Sequence, residues 1–359
     1  MTAHPPGNIP RDIPKPFAGA VDAVRTLLAE GEGRAAATTV LLGLRAGDRS
    51  WSGVVSLDPG HRPAPPPDTR ALVYSLTKTV SAAAVLRLVA EGLLDLDAPL
   101  ARWLPEYRFA ATATLAELLQ HRAGLPDYGQ LPAYRAAVAA GGEPWSGDEF
   151  LSHCLPDPAA ELPRDGEVRY SNIGYLLVKR LLERAAGVHF ADLLRHVVFE
   201  PLGLAGATVP ARREDLAGLL FGRSALYGGD PVAARYHPGW VAHGVVAMTA
   251  ADAAAFLHGL ASTDFLPGEL LGRMTAGRRV YGAMIGRPWV EPAYGLGVMI
   301  EADEDSVPYW GHTGGGPGCS TAAYHFAGAA PVTVAAITDG EDGAQAEWMA
   351  VEAGQALLA

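Results

Sequence analysis

Apolar residues recur every three or four positions through Phe17, Val21, Val24 and Leu28 and stop at Gly31, which predicts an amphipathic helix near the start of the chain. Two β-rich runs follow, 38–44 and 51–57, separated by Arg45-Ala46-Gly47-Asp48, and together they predict a hairpin. A proline-rich loop over 58–70 leads to Tyr74-Ser75-Leu76-Thr77-Lys78 and then to an alanine- and leucine-rich run closed by Gly92. That run is apolar nearly all round, so it predicts a buried helix with a glycine stop. Between 98 and 260 the spacing is mostly helical, over 115–121, 134–140, 148–154, 172–186, 190–198 and 249–260, the last opened by a Thr-Ala-Ala-Asp capping box. The Gly/Pro/aromatic stretch 223–240, with Tyr236, His237 and Trp240, reads as a loop that lines a cleft or packs on the surface. Strand-like pattern returns at 294–300, 307–313, 320–326 and 332–338, joined by short turns that imply antiparallel neighbours, before a final helix over 344–358.

A hairpin at one end and strands at the other predict an α+β fold in which an antiparallel sheet, flanked by helices, is built from both ends of the chain around a mainly helical part. The expected organisation is a proline-rich arm over 1–16, a discontinuous sheet domain over 17–97 and 265–359, and a helical domain over 98–264. Catalytic groups are expected where sheet and helices meet.

The composition narrows the choice of partners. With a net charge of −11 and no basic cluster, the chain is not suited to nucleic acid or to an anionic membrane surface, which leaves small-molecule or peptide substrates. No run of 18 apolar residues is present, and Met1 to Phe17 lacks the basic start and apolar core of a secretory signal, so a cytoplasmic location is expected. Cys154 and Cys319 are the only cysteines and make no disulfide framework. The eleven histidines are scattered without His-x-His or His-Glu-x-x-His spacing, so neither a metal nor a cofactor is expected, and His237 and His243 read as structural. No Gly-x-Ser-x-Gly elbow is present, which disfavours an α/β-hydrolase.

Ser75 and Lys78 are one helical turn apart, which sets the amine beside the hydroxyl. Lys15, Lys78 and Lys179 are the only lysines among 28 cationic residues. Arginine keeps its proton in a protein, whereas a desolvated lysine near a helix N-terminus gives it up, so Lys78 is suited to proton transfer. Taken alone the pair is also an ordinary first turn with a snorkelling lysine, and other motifs must decide. Tyr170 and Asn172 are two apart just before a helix and face one way if the backbone is extended. Trp310-Gly311-His312-Thr313-Gly314-Gly315-Gly316 ends a strand with little side chain, letting a substrate approach the backbone closely.

In combination these stretches resemble the serine β-lactamase and D-alanyl-D-alanine carboxypeptidase superfamily, in its class C-like branch with esterases and acyltransferases. Ser75-Leu76-Thr77-Lys78, Tyr170-Ser171-Asn172 and His312-Thr313-Gly314 are similar to its three motifs and stand in its order. Weaker resemblance lies in the stretch Leu118 to Pro126, in Glu200-Pro201-Leu202-Gly203-Leu204 and in Tyr294-Gly295-Leu296-Gly297. The resemblance implies a β-lactamase/transpeptidase-like fold and acyl transfer to Ser75, with Lys78 and Tyr170 sharing the proton traffic and the formal base left open between them. It further implies an oxyanion hole from the backbone N–H groups of Ser75 and Gly315, each worth about 3 kcal/mol, and substrate contacts from Asn172, His312, Thr313 and Gly314. The acyl donor is then an ester, thioester or amide. Open alternatives are an intracellular acyltransferase or peptide-releasing or cyclising enzyme, a D-aminopeptidase, carboxypeptidase or β-lactamase, and a non-catalytic binding or assembly protein.

Three departures from that pattern matter. Histidine stands at 312 where penicillin-hydrolysing members usually have lysine, and a partly charged imidazole is expected to hold a substrate carboxylate more weakly. Cys319 replaces a common aromatic and is read as buried filler. The loop 163–168 lacks the usual compact Pro-Gly-aromatic form.

Overall fold

The structure, a computed structural model, describes residues 12–31, 37–57, 64–163, 165–228, 230–280 and 284–359. Most of the proline-rich arm, the start of the 58–70 loop and Arg164 of the 163–168 loop lie outside these residues.

Helix α1 (Lys15–Glu30) buries Phe17, Val21, Val24 and Leu28, the predicted stripe. The hairpin follows as β1 (Thr39–Ala46) and β2 (Arg49–Ser56), with Ala46 opposite Arg49 and Gly47 at φ 56° in the tight turn. A two-residue strand β3 (Ala71–Leu72) feeds α2 (Leu76–Ala90), the buried helix expected after Ser75. The helical part then carries α3 (Leu115–Leu119), α4 (Pro132–Ala140), α5 (Gly147–Cys154), α6 (Asn172–Ala186), α7 (Phe190–Leu194) and α8 (Val232–Arg235). After β4 (Ala247–Met248), which pairs with β3, come α9 (Ala250–Ser262), with its Thr249–Asp252 capping box in place, and α10 (Gly268–Thr275). The chain ends in β5 (Arg278–Arg279), β6 (Pro292–Tyr294), β7 (Met299–Glu301), β8 (Tyr309–Gly316), β9 (Cys319–Phe326), β10 (Val332–Thr338) and α11 (Gly343–Leu358).

One antiparallel sheet of order β2-β1-β10-β9-β8-β7-β6-β5 joins the two ends of the chain, because β1 pairs with β10 through Val40–Ala46 and Val332–Thr338. Alternate residues leave its two faces to different layers. One face packs Tyr309, Tyr324, Phe326 and Val334 against α1 and α11. The other packs Trp310, Ala323, Ala335 and Ile337 toward α2 and α9. Helix α2 is therefore clamped between the sheet and the helical part, and its N-terminus meets the end of β8.

Two predicted elements take another form, and one helix was not predicted. The strand expected over 294–300 is two short strands, β6 and β7, because Gly297 turns the chain at φ 75° where it touches α2; a Cβ there would lie 2.5 Å from Ala82 Cβ. The helix expected over 190–198 is α-helical only to Leu194 and continues as a π turn over Arg195–Phe199. Helix α10 has no counterpart among the predicted elements; its buried stripe reduces to Met274. Among the described residues, no helix is long and apolar enough to cross a membrane.

Candidate active site

Ser75 owes its position to strain in the residue before it. Val73 is tied to Val246 by a backbone hydrogen bond of 2.9 Å, and Tyr74 then takes φ 41°, a left-handed conformation that costs a non-glycine residue about 1 kcal/mol or more. The Tyr74 ring is held by its hydroxyl donating to Pro317 O at 2.9 Å, under Gly316, where a Cβ would come within 2.2 Å of the ring. The turn leaves the Ser75 side chain free of any capping bond at the head of α2, beside a helix N-terminus that favours developing negative charge.

Lys78 is fully buried, and its Nζ lies 3.0 Å from Ser75 Oγ, 2.7 Å from Asn172 Oδ1 and 3.0 Å from His243 Nε2. Burial lowers its pKa to about 7, opposed only in part by Asp127. Tyr170 donates its hydroxyl to Ser75 Oγ at 2.8 Å, and its ring lies 4.8 Å from Lys78 Nζ and 4.4 Å from the His121 ring. Although Tyr170 keeps 41% of its surface exposed, desolvation in this cluster pushes its pKa up, so it stays a phenol at neutral pH. Both groups flank Ser75 Oγ within hydrogen-bond distance, and of the two it is the lysine whose pKa is brought near neutrality.

The second motif is aligned by the segment 121–127. Asp127 Oδ1 accepts from both the backbone N–H and the Nδ2 of Asn172, each at 2.9 Å, which turns the amide oxygen toward Lys78. Ser171 caps α6 by accepting from Gly174 N–H and donates to Pro126 O at 2.6 Å, while its own N–H donates to His121 Nδ1 at 3.1 Å. Among the described residues, His121 is the other non-glycine residue with positive φ, at 58°.

The third motif divides between two faces. Gly314 packs so closely on the Ser75 turn that a Cβ would lie 2.2 Å from Val73 O, and Gly315 lines the same cavity as Ser75. His312 faces the site with its ring buried and both nitrogens engaged. It is 1% exposed, donates from Nδ1 to Thr313 O at 2.6 Å and accepts from the Tyr294 hydroxyl at 2.9 Å, and burial with Lys78 nearby lowers its pKa to about 3. It is therefore neutral where a partial charge was expected. Thr313 is one strand position on, so its hydroxyl lies on the opposite face with Tyr324 and Glu347 and does not reach the cavity. Cys319 is buried, and burial pushes its thiol pKa far up, in keeping with a filler and not a nucleophile.

The cavity in front of Ser75, about 370 Å³, is bounded by Tyr128, Tyr134, Val138, Tyr236 and Val241, with Arg135 and Asn172 among the polar residues. Two residues at this site were missed as functional. His243, read as structural, touches Lys78 from 165 positions away, a long-range contact that no local spacing announces. Asp127 directly follows the Leu118 to Pro126 stretch and carried no signal of its own. Among the described residues, no group of three or more His, Cys, Asp or Glu is placed to hold a metal ion.

A family model described as Beta-lactamase matches residues 22–355. The chain is 31% identical over 144 residues to Penicillin-binding protein 4* of Bacillus subtilis (strain 168), covering 39% of this chain and 30% of that protein. It is 35% identical over 149 residues to Esterase EstB of Burkholderia gladioli, covering 38% of each. These matches thus span less than half of either relative. Among solved structures, a D-stereospecific amidohydrolase from Streptomyces sp. superposes with a TM-score of 0.78 at 25% identity, over 94% of this chain and 98% of that one.

Proposed function

Since the chain belongs to the Beta-lactamase family and is a serine hydrolase of that kind, we propose that it cleaves an ester or amide through an acyl-Ser75 intermediate, with Lys78 as the base. The observation that carries this reading is the approach of Lys78 Nζ and Tyr170 Oη to Ser75 Oγ, at 3.0 and 2.8 Å, with the lysine pKa near 7. As Ser75 Oγ bonds to the substrate carbonyl carbon, its proton passes to the Lys78 lone pair, and the carbonyl oxygen takes the charge opposite the Ser75 and Gly315 N–H groups. Tyr170 then gives its hydroxyl proton to the leaving group and recovers one from the lysine side. Water, entering where the leaving group departed, frees the acyl group by the reverse sequence.

The aromatic and aliphatic walls suit an apolar acyl group of moderate size. With His312 neutral, the cationic residue lining the cavity is Arg135, whose guanidinium already donates to Gly129 O and Gln130 Oε1, so the reading favours uncharged esters and amides over penicillins. The likeness to an esterase and to a D-stereospecific amidohydrolase supports both donor types.

The test is intact-mass detection of an adduct after exposure to p-nitrophenyl esters, D-amino acid amides and penicillins. An adduct from esters or amides that disappears in Ser75→Ala is the expected result. Equal labelling of wild type and Ser75→Ala would remove the mechanism.

A further inference from the structure

The Lys78 amine is surrounded by neutral hydrogen-bonding groups: Ser75 Oγ at 3.0 Å, Asn172 Oδ1 at 2.7 Å and His243 Nε2 at 3.0 Å. An uncharged amine has two N–H bonds and one lone pair, so the neighbour that meets the lone pair decides whether Ser75 can lose its proton. Asn172 is committed as an acceptor, because its Nδ2 is spent on Asp127 Oδ1. The remaining choice lies with His243. With Nε2 unprotonated, His243 accepts the second N–H, and the lone pair is left facing the Ser75 hydroxyl. With Nε2 protonated, His243 would occupy the lone pair, and Ser75 would only accept a hydrogen bond. His243 is 2% exposed, and its Nδ1 has no partner among the described residues, so no hydrogen bond on the far side of the ring fixes the tautomer, and the contact of Nε2 with Lys78 must outweigh the cost of an unpaired Nδ1–H.

We propose that His243 is a positioning residue of the nucleophile, accepting one N–H of Lys78 through Nε2 so that the amine lone pair is aimed at Ser75. The inference rests on the reading of Lys78 as the base. His243 belongs to the segment that hydrogen-bonds the Ser75 turn, through Val246 O to Val73 N–H and through Val246 N–H to Thr77 Oγ1. Its ring is thus fixed to the same backbone as the nucleophile.

The other ionisable groups facing the pair are Asp127 beyond Asn172, Tyr170 and Tyr175 over the amine, His121 and His312 across the site, and Lys179 on α6. Burial lowers the pKa of His121, His243 and His312 and raises that of both tyrosines. Lys78 is accordingly the group that changes charge near neutrality.

The chain has three lysines, so protein carrying [13Cε]lysine gives a countable spectrum in which Lys78 is assigned by its loss in Lys78→Met. His243→Leu removes an acceptor that the ammonium uses more strongly than the amine, and the Lys78 titration should move down by about one pH unit. His243→Gln, whose amide oxygen reaches toward the same point, should restore most of it. Burst acylation of Ser75 by p-nitrophenyl butyrate should fall about 100-fold in His243→Leu and recover substantially in His243→Gln. An unmoved Lys78 titration in folded His243→Leu, whatever happens to the rate, overturns the proposal. If His243→Leu does not fold, His243→Met carries the same expectations. Should the wild type form no Ser75 adduct, the acyl-serine reading fails by itself, and the titration still decides the Lys78–His243 contact.

Discussion

At the scale of single residues, burial decides the charges that matter. Lys78 and His312 both lie inside the site and both lose affinity for a proton, but they end on opposite sides of usefulness. Lys78 begins from an ordinary value of 10.5 and arrives near 7, where amine and ammonium coexist; His312 begins at 6.5 and arrives near 3, where it is always neutral. It follows that kcat/KM for an uncharged ester should rise with pH through about 7 as the lysine loses its proton, and then level off. Lys78→Arg should be as damaging as Lys78→Ala, each costing about 10²- to 10⁴-fold, because a permanent cation cannot receive the serine proton. An Arg variant with most of the wild-type rate would reduce Lys78 to an electrostatic role. It also follows that KM for a carboxylate-bearing ester should show no histidine inflection between about pH 4 and 6, since His312 does not charge there. A distinct rise in KM across that interval, abolished in His312→Gln, would restore the imidazolium anchor.

At the scale of elements, the site is a product of how segments are tethered. Asn172 sits at the head of α6, but its amide is oriented by Asp127, 45 positions earlier in the chain. Asp127→Ala should let the amide turn its Nδ2 toward the Lys78 amine, and Ser75 acylation should fall about 100-fold with little change in thermal midpoint. A rate within about twofold of wild type would mean that the amide is held by Lys78 alone. The same distinction between local and distant causes explains what was legible in the sequence. Helix α6 and strand β10 match their predicted bounds because caps and periodicity are local: Ser171 and Gly187 close one, and a mostly apolar, β-branched run, buried throughout, defines the other. The three motifs were legible for the same reason, each being a few contiguous residues. The break between β6 and β7 was not, since Gly297 bends to meet a helix more than 200 positions away, through a bond from Thr79 Oγ1. Nor was the face on which Thr313 lands, which depends on strand register, or the role of His243, which depends on a tertiary contact.

At the scale of the whole molecule, the proposed nucleophile is set against its glycines by the sheet. Ser75 comes from the N-terminal third, and Gly314 and Gly315 come from a strand held between β7 and β9, in a sheet that needs β1 to pair with β10. Behind β8, α11 secures the arrangement from the opposite face through Glu347, which is fully buried and ion-paired to Arg287 while accepting from Thr313. Replacing Glu347 by leucine would strand the guanidinium of Arg287 against an apolar layer. With Arg287 itself 31% exposed, the cost should be about 2–3 kcal/mol, below that of breaking a pair buried on both sides. Since no catalytic side chain is touched, the effect on activity must arrive through cooperativity. Urea unfolding followed by tryptophan fluorescence and by the fraction of Ser75 that can be acylated should give superimposable curves in the wild type, and both should shift together in Glu347→Leu. If acylation were lost well before fluorescence changed, the site would belong to a locally unfolding unit, and the sheet would not be what holds Ser75 against Gly315.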